Sequence, residues 1–165
     1  MSDQIFVVDS SVLIEAAKRY YAFDIAPRFW QSMVEHANGG RIISVDRVHD
    51  ELARGKDELK VWASQQFENA FAKTDGPVVV TSYRDLITWV QSQPQFTTAA
   101  KAEFATGADG WLVAYAKANS FTVATEEQPA PEAKRKVPIP NLCKAFNVPC
   151  CGTFAMLRVL GVRFE

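Results

Sequence analysis

Four apolar residues, Ile5 to Val8, run without a polar break and stop on Asp9 and two serines. Such a run predicts a strand covered on both faces, as in a parallel sheet. Val12, Leu13, Ala16 and Ala17 then fall on one side of a helix that Ser10 and Ser11 can cap. Behind Pro27, which a first helical turn tolerates, Phe29, Trp30, Met33, Val34 and Ala37 recur at helical spacing until Gly39-Gly40 closes the element. "RIISV", Arg41 to Val45, predicts a second strand, and "DRVHDELARG" a helix ended by Gly55. Leu59, Trp62, Ala63, Phe67, Ala70 and Phe71 mark one further amphipathic helix. "DGPVVVTS" breaks it, and its three valines suit either a strand or an extended connector.

Leu86, Ile87 and Val90 predict a helix before Pro94, and "FTTAAKAEFAT" a short one interrupted at Gly107. From Ala108 the stretch "ADGWLVAYAKAN" is helical, with Trp111, Leu112, Tyr115 and Ala116 inward. Phe121 to Thr125 is a third strand, and a polar, proline-bearing loop follows from Glu126 to Lys136. A weak strand near Val148 to Cys150 and a helix from about Phe154 to Leu160 complete the pattern. Strands alternating with helices in this way predict an α/β fold around a mainly parallel sheet.

Composition narrows the class. The 165 residues suit a single domain, 1–165, with enough apolar material (48%) for a core without covalent staples. Lys and Arg total 18 against 19 Asp and Glu, so any nucleic-acid partner must meet a local basic patch and not a basic protein. Cys143, Cys150 and Cys151 have neither zinc spacing nor an even count, and are expected as buried free thiols in a reducing cytosol. With no apolar leader and no run of membrane-spanning length, the expectation is a cytoplasmic protein without a membrane.

The candidate chemistry lies in the acids. In an open parallel sheet the functional crevice lies beyond the carboxyl ends of the strands. Asp9 ends the first strand; Asp46 follows the second, with Asp50 and Glu51 one turn on; Glu126 and Glu127 follow the third. Asp109 opens the helix leading into that third strand. Singly, each has a structural explanation as a turn, cap or solvated residue. Jointly they would repel one another unless a divalent cation made their company tolerable, and Mg²⁺ or Mn²⁺ with oxygen donors would activate water against a phosphodiester. Ser11 stands where an aspartyl-phosphate phosphatase would need a second Asp. Neither G-x-G-x-x-G nor G-x-x-x-x-G-K-[ST] occurs, which disfavours dinucleotide and nucleoside-triphosphate binding.

The ordered set "FVVDSSVLIE", "ISVDRVHDEL", "GADGWLVAYAKAN" and "FTVATEE" resembles the four motifs of the PIN-domain nuclease family, to which VapC-like toxin ribonucleases belong. That resemblance implies a three-layer PIN-like fold with four or five strands flanked by helices. It implies a Mg²⁺- or Mn²⁺-dependent endoribonuclease, commonly the toxin of a toxin–antitoxin pair, often homodimeric, with a cognate antitoxin or regulator as partner. It makes Asp9, Glu51 and Asp109 the metal-holding acids, puts Thr125 at the family's hydroxyl and Glu127 at its fourth acid. Glu stands there where the family usually has Asp, so Glu126 is the alternative, and a catalytically inactive binding module stays open. Ser10, Asp46, Asp50 and Glu126 are expected to orient those acids, and Lys134, Arg135 and Lys136 either contact RNA phosphates or lie solvated. The stretch from Phe96 to Thr106 and the loop after Glu127 lengthen the chain relative to the smallest members. His36 and His49 lack the register for a general base.

Overall fold

A computed structural model describes residues 4–165, so of the expected span 1–165 the first three residues lie outside the described part. Strand β1 (Phe6–Val8) is wholly buried, as its unbroken apolar run requires. It is the middle of a five-stranded, all-parallel sheet completed by β2 (Ile42–Val45), β3 (Phe71–Ala72), β4 (Thr122–Ala124) and β5 (Cys150–Cys151), in the order β3-β2-β1-β4-β5. Phe6 pairs with Ile42 on one side and Thr122 on the other, and Val8 pairs with Ala124. Successive strands therefore run outward from β1 in both directions. The switch falls between β1 and β4, and the crevice beyond their carboxyl ends is where an open sheet of this kind binds ligands.

The helices flanking the sheet follow the apolar spacing. Helix α1 (Ser10–Glu15) buries Val12 and Leu13 and continues as a π-helical turn over Ala16–Tyr20. Pro27 opens α2 (Pro27–Asn38), whose Phe29, Trp30 and Met33 are buried, and Gly40 follows it at φ 78°, a conformation L side chains resist. Next come α3 (Asp46–Ala53) and α4 (Glu58–Gln65).

Here the structure departs from the expected pattern. The helix predicted through Phe71 stops at Gln65; a 3₁₀ turn over Glu68–Ala70 leads into β3, which pairs with β2 at Ser44 and Val45. Phe67 and Ala70 are buried as expected, but from a turn, which short apolar spacing does not distinguish from a helix. The three valines are neither strand nor connector. They form the first turn of α5 (Pro77–Ser92), with Pro77 at the helix start and Val79, Ser82, Leu86 and Val90 making its buried stripe. The β-branched residues favoured a strand, and the helical period won through tertiary packing against α7 (Asp109–Asn119). Helix α6 (Thr98–Thr106), capped by the Thr97 hydroxyl, precedes α7. Helix α8 (Ile139–Ala145), for which no element was expected, precedes β5, and α9 (Thr153–Leu160) follows it. Among the described residues, no helix is long and apolar enough to cross a membrane.

Candidate functional site

The chain leaves β1 at Asp9 and β4 at Thr125, so the switch point places these two side chains side by side. Asp9 is only 2% exposed. Its Oδ2 accepts from the Ser11 hydroxyl at 2.6 Å and from the Thr125 hydroxyl at 3.0 Å. Ser11 Oγ and Thr125 Oγ1 are 3.2 Å apart, while Ser11 Oγ also accepts the Glu126 backbone N–H at 2.9 Å. Two hydroxyls thus pin one carboxylate from two different segments. The neighbouring Thr125 Oγ1 takes the Glu127 N–H at 3.1 Å, which turns the chain after β4 toward the same crevice.

A cavity of about 330 Å³ opens there, lined also by Glu15 and Glu103, and the four candidate acids Asp9, Glu51, Asp109 and Glu127 all line it. Each comes from a different part of the fold: the end of β1, helix α3, the first turn of α7, and the loop after β4. Glu51 is the most exposed of the four. Mutual charge is visible in the acidities of Asp9, Asp109 and Glu51. Burial pushes the Asp9 carboxyl above the usual carboxylate range; the Ser11 hydrogen bond opposes this and the Glu127 charge adds to it. Asp109 is pushed up to about 7, first by burial and then by the charges of Asp9 and Glu127. Glu51 is raised by desolvation and by Asp9, against the pull of Arg54 and Lys136. Carboxylates that raise one another in a partly dry pocket are an energetic liability that a bound cation relieves.

Lys136 answers part of that charge. Its Nζ is 2.9 Å from Glu127 Oε2, while Glu127 Oε1 accepts the Ile139 N–H at 2.9 Å. Burial pulls the Lys136 pKa down, but the Glu127 bond and the charges of Glu127, Asp109 and Asp9 outweigh it and hold the ammonium's pKa above its ordinary value.

The remaining sequence candidates separate. Ser10 lines the cavity, yet the hydroxyl that touches Asp9 belongs to Ser11. Asp46 is turned away: its two oxygens take the Thr74 hydroxyl at 2.8 Å and the Thr74 N–H at 3.2 Å, tying α3 to the turn after β3. Asp50 stands 3.6 Å from His49 Nδ1 on the surface. Glu126 also leaves the crevice, because its Oε2 caps α9 through the Thr153 hydroxyl at 2.7 Å and N–H at 3.1 Å. Of the two adjacent glutamates, Glu127 is the one among the acids. Lys134 and Arg135 are exposed and, unlike Lys136, do not line the cavity.

Whether the crevice suits a metal turns on donors and spacing. The donors are carboxylate oxygens, the type that Mg²⁺ and Mn²⁺ take, and they fit. Among the described residues, however, no three Asp, Glu, His or Cys side chains are gathered closely enough to enclose an ion, so coordination requires the carboxylates to draw inward.

The family model described as "Domain of unknown function (DUF4411)" matches residues 6–164. The chain belongs to the DUF4411 family. No curated protein sequence matches this DUF4411 chain. Its fold is similar to the crystal structure of FitAcB from Neisseria gonorrhoeae, with a TM-score of 0.50 and 16% identity over 89% of this chain and 96% of that one. At that identity the likeness speaks for architecture: the DUF4411 chain has the PIN-like fold, a five-stranded parallel sheet flanked by helices.

Proposed function

We propose that this DUF4411 protein is a metal-dependent endoribonuclease that hydrolyses RNA phosphodiester bonds at the acidic crevice. Asp9, Glu51 and Asp109 would hold a Mg²⁺ or Mn²⁺ ion, with Glu127 as the fourth acid. The observation that carries this reading is the convergence of four carboxylates, from four separated segments, on one cavity at the switch point of the sheet. When bound, such an ion lowers the pKa of water and offsets charge on a phosphodiester under attack.

The chain's own groups have distinct tasks. Ser11 and Thr125 fix the Asp9 carboxylate in one orientation. Asp109, near 7, exchanges its proton close to neutral pH, so the crevice gains its full negative charge only as pH rises through that value. Lys136 keeps Glu127 paired and leaves a cation at the rim for a phosphate oxygen.

The test is purified protein with single-stranded RNA and Mn²⁺. Asp9→Asn and Asp109→Asn should each lose cleavage while keeping the fold by circular dichroism. Equal cleavage by wild type and both variants, after rigorous removal of contaminating ribonuclease, defeats the proposal.

One observation favours a second reading. Lys136 already pairs with Glu127, and the acids are not drawn into a ready cage, which suits a PIN-like module that binds nucleic acid or protein without turnover. Wild type unstabilised by millimolar Mn²⁺ would favour it. The resemblance to PIN nucleases further proposes a cytoplasmic, homodimeric toxin restrained by a cognate antitoxin, with sedimentation as the test of the dimer. Expression in a bacterial host should slow growth with wild type and not with Asp9→Asn; unimpaired growth with active protein present rejects the toxin role.

A further inference from the structure

A second cavity, of about 750 Å³, lies beside the acidic crevice, and Glu127 lines both, while Thr125, which holds Asp9, lines the larger one. Its size is that of a small-molecule site, and its wall contains flat and apolar groups: Trp89 from α5, Phe96 from the turn before α6, and Val148 before β5. Trp89 is itself held edge-on to Phe96, with ring centroids 6.4 Å apart, and to Phe146 at 5.9 Å. Gln128 and Lys144 add hydrogen-bonding groups to the wall, and both are exposed. The loop over the cavity is braced, since Asn141 both donates to the Ala130 carbonyl (2.7 Å) and accepts its N–H (3.0 Å). Nothing in the acidic chemistry uses this space.

We infer that this cavity receives the base of a nucleotide adjoining the bond held at the acidic crevice, in single-stranded RNA. The inference rests on the ribonuclease reading and adds a specificity site to it. Adjacency argues for the occupant: Glu127 walls both spaces, so a chain with a phosphate at the smaller one can lay its next base in the larger. An unpaired base can leave its stack and lie against aromatic side chains with its edge hydrogen-bonded, whereas a base within a duplex cannot. Lys144 suits the phosphate that links this nucleotide to its neighbour.

Cys150 supplies the readout, because this cysteine, expected to be buried, is an exposed residue that lines the cavity. The experiment uses full-length Asp9→Asn protein, so that RNA is bound but not cut, and measures iodoacetamide alkylation of Cys150 by peptide mass spectrometry. A saturating short single-stranded oligoribonucleotide should slow alkylation about tenfold, the scale of one base–aromatic stack, and a blunt duplex of the same sequence should not. Trp89→Leu should weaken oligonucleotide affinity by a similar factor while the Mn²⁺-induced thermal shift of the otherwise wild-type protein stays unchanged. If the oligonucleotide binds and is cut by wild type but leaves Cys150 unprotected, the base pocket is wrong and the nuclease reading stands. If RNA neither binds nor is cut, both fail. Protection by duplex as strong as by single strand also overturns the inference.

Discussion

Asp109 carries the cost of the crevice in its acidity. Its folded value near 7 stands above the ordinary 3.8, so between those values the folded protein holds a proton that the unfolded chain has released. Stability without metal therefore falls as pH rises from about 4 to 7, and Asp9 and Glu51, also raised, push in the same direction. Asp109→Asn removes that cost. It should raise the melting temperature of the metal-free protein, with a gain that is absent near pH 4 and grows to pH 7, while abolishing cleavage. A gain independent of pH would mean that the substitution acts through packing instead. Ser11→Ala is the complementary probe. It deletes the 2.6 Å bond to a buried carboxylate, and should weaken Mn²⁺ binding about tenfold or more, as measured by titration calorimetry. The sequence already contained this signal, since an Asp-Ser-Ser run offers two hydroxyls. Only the α1 geometry shows that the second one reaches back.

At the scale of elements, what was legible is what burial dictates. The apolar run of β1, the stripes of α2 and α7, and the strands β2 and β4 all follow from period and length alone, as does Asp9 at the end of the first strand, whereas Glu51 and Asp109 were set beside it by the resemblance to the PIN-domain motifs. The misses have a common cause. Segments of two or three residues, such as β3, or β-branched first turns, such as that of α5, take their state from neighbours that a local pattern cannot contain. Side-chain direction was equally hidden. Glu126 and Glu127 are adjacent, yet one caps α9 and the other joins the acids, because the chain bends at Glu126, where the Thr125 hydroxyl takes the Glu127 N–H. Glu126→Ala should therefore cost about 1 kcal/mol, the usual size of a lost helix cap, and leave the Mn²⁺-induced thermal shift intact. Loss of that shift would return Glu126 to the metal site. Gly110 is the element-scale counterpart at the start of α7. A Cβ there would come within 2.8 Å of the Phe104 ring and 2.9 Å of the Tyr83 ring. Gly110→Ala should destabilise by about 1–3 kcal/mol through overpacking, read from urea midpoints, and should lower activity only as far as it tilts Asp109.

For the whole molecule, charge placement matters more than charge total. A formal net charge of -1 is unremarkable, yet six acids line one cavity, the four candidates with Glu15 and Glu103, and the Lys136 ammonium reaches it. On the proposed reading Lys136 and a divalent ion would have overlapping duties, since each would lower the repulsion among the same carboxylates. Removing the ammonium, as in Lys136→Met, leaves Glu127 unpaired and raises the field at Asp9 and Asp109. The metal-free variant should melt below wild type, and more so at pH 8 than at pH 5, where protonation of the raised acids has already relieved the repulsion. Mn²⁺ should then stabilise it more than it stabilises wild type, because a ligand that binds only the folded form gains most where the uncompensated charge is greatest. The contrast is readable in one set of melting curves: a lower starting point, a larger rise on adding metal, and convergence of the two proteins at saturation. If Lys136→Met instead melts lower and fails to respond to Mn²⁺, the lysine organises the pocket and does not compete with the ion. In that case the carboxylates are held apart by design, and the crevice is a binding surface for a cationic partner.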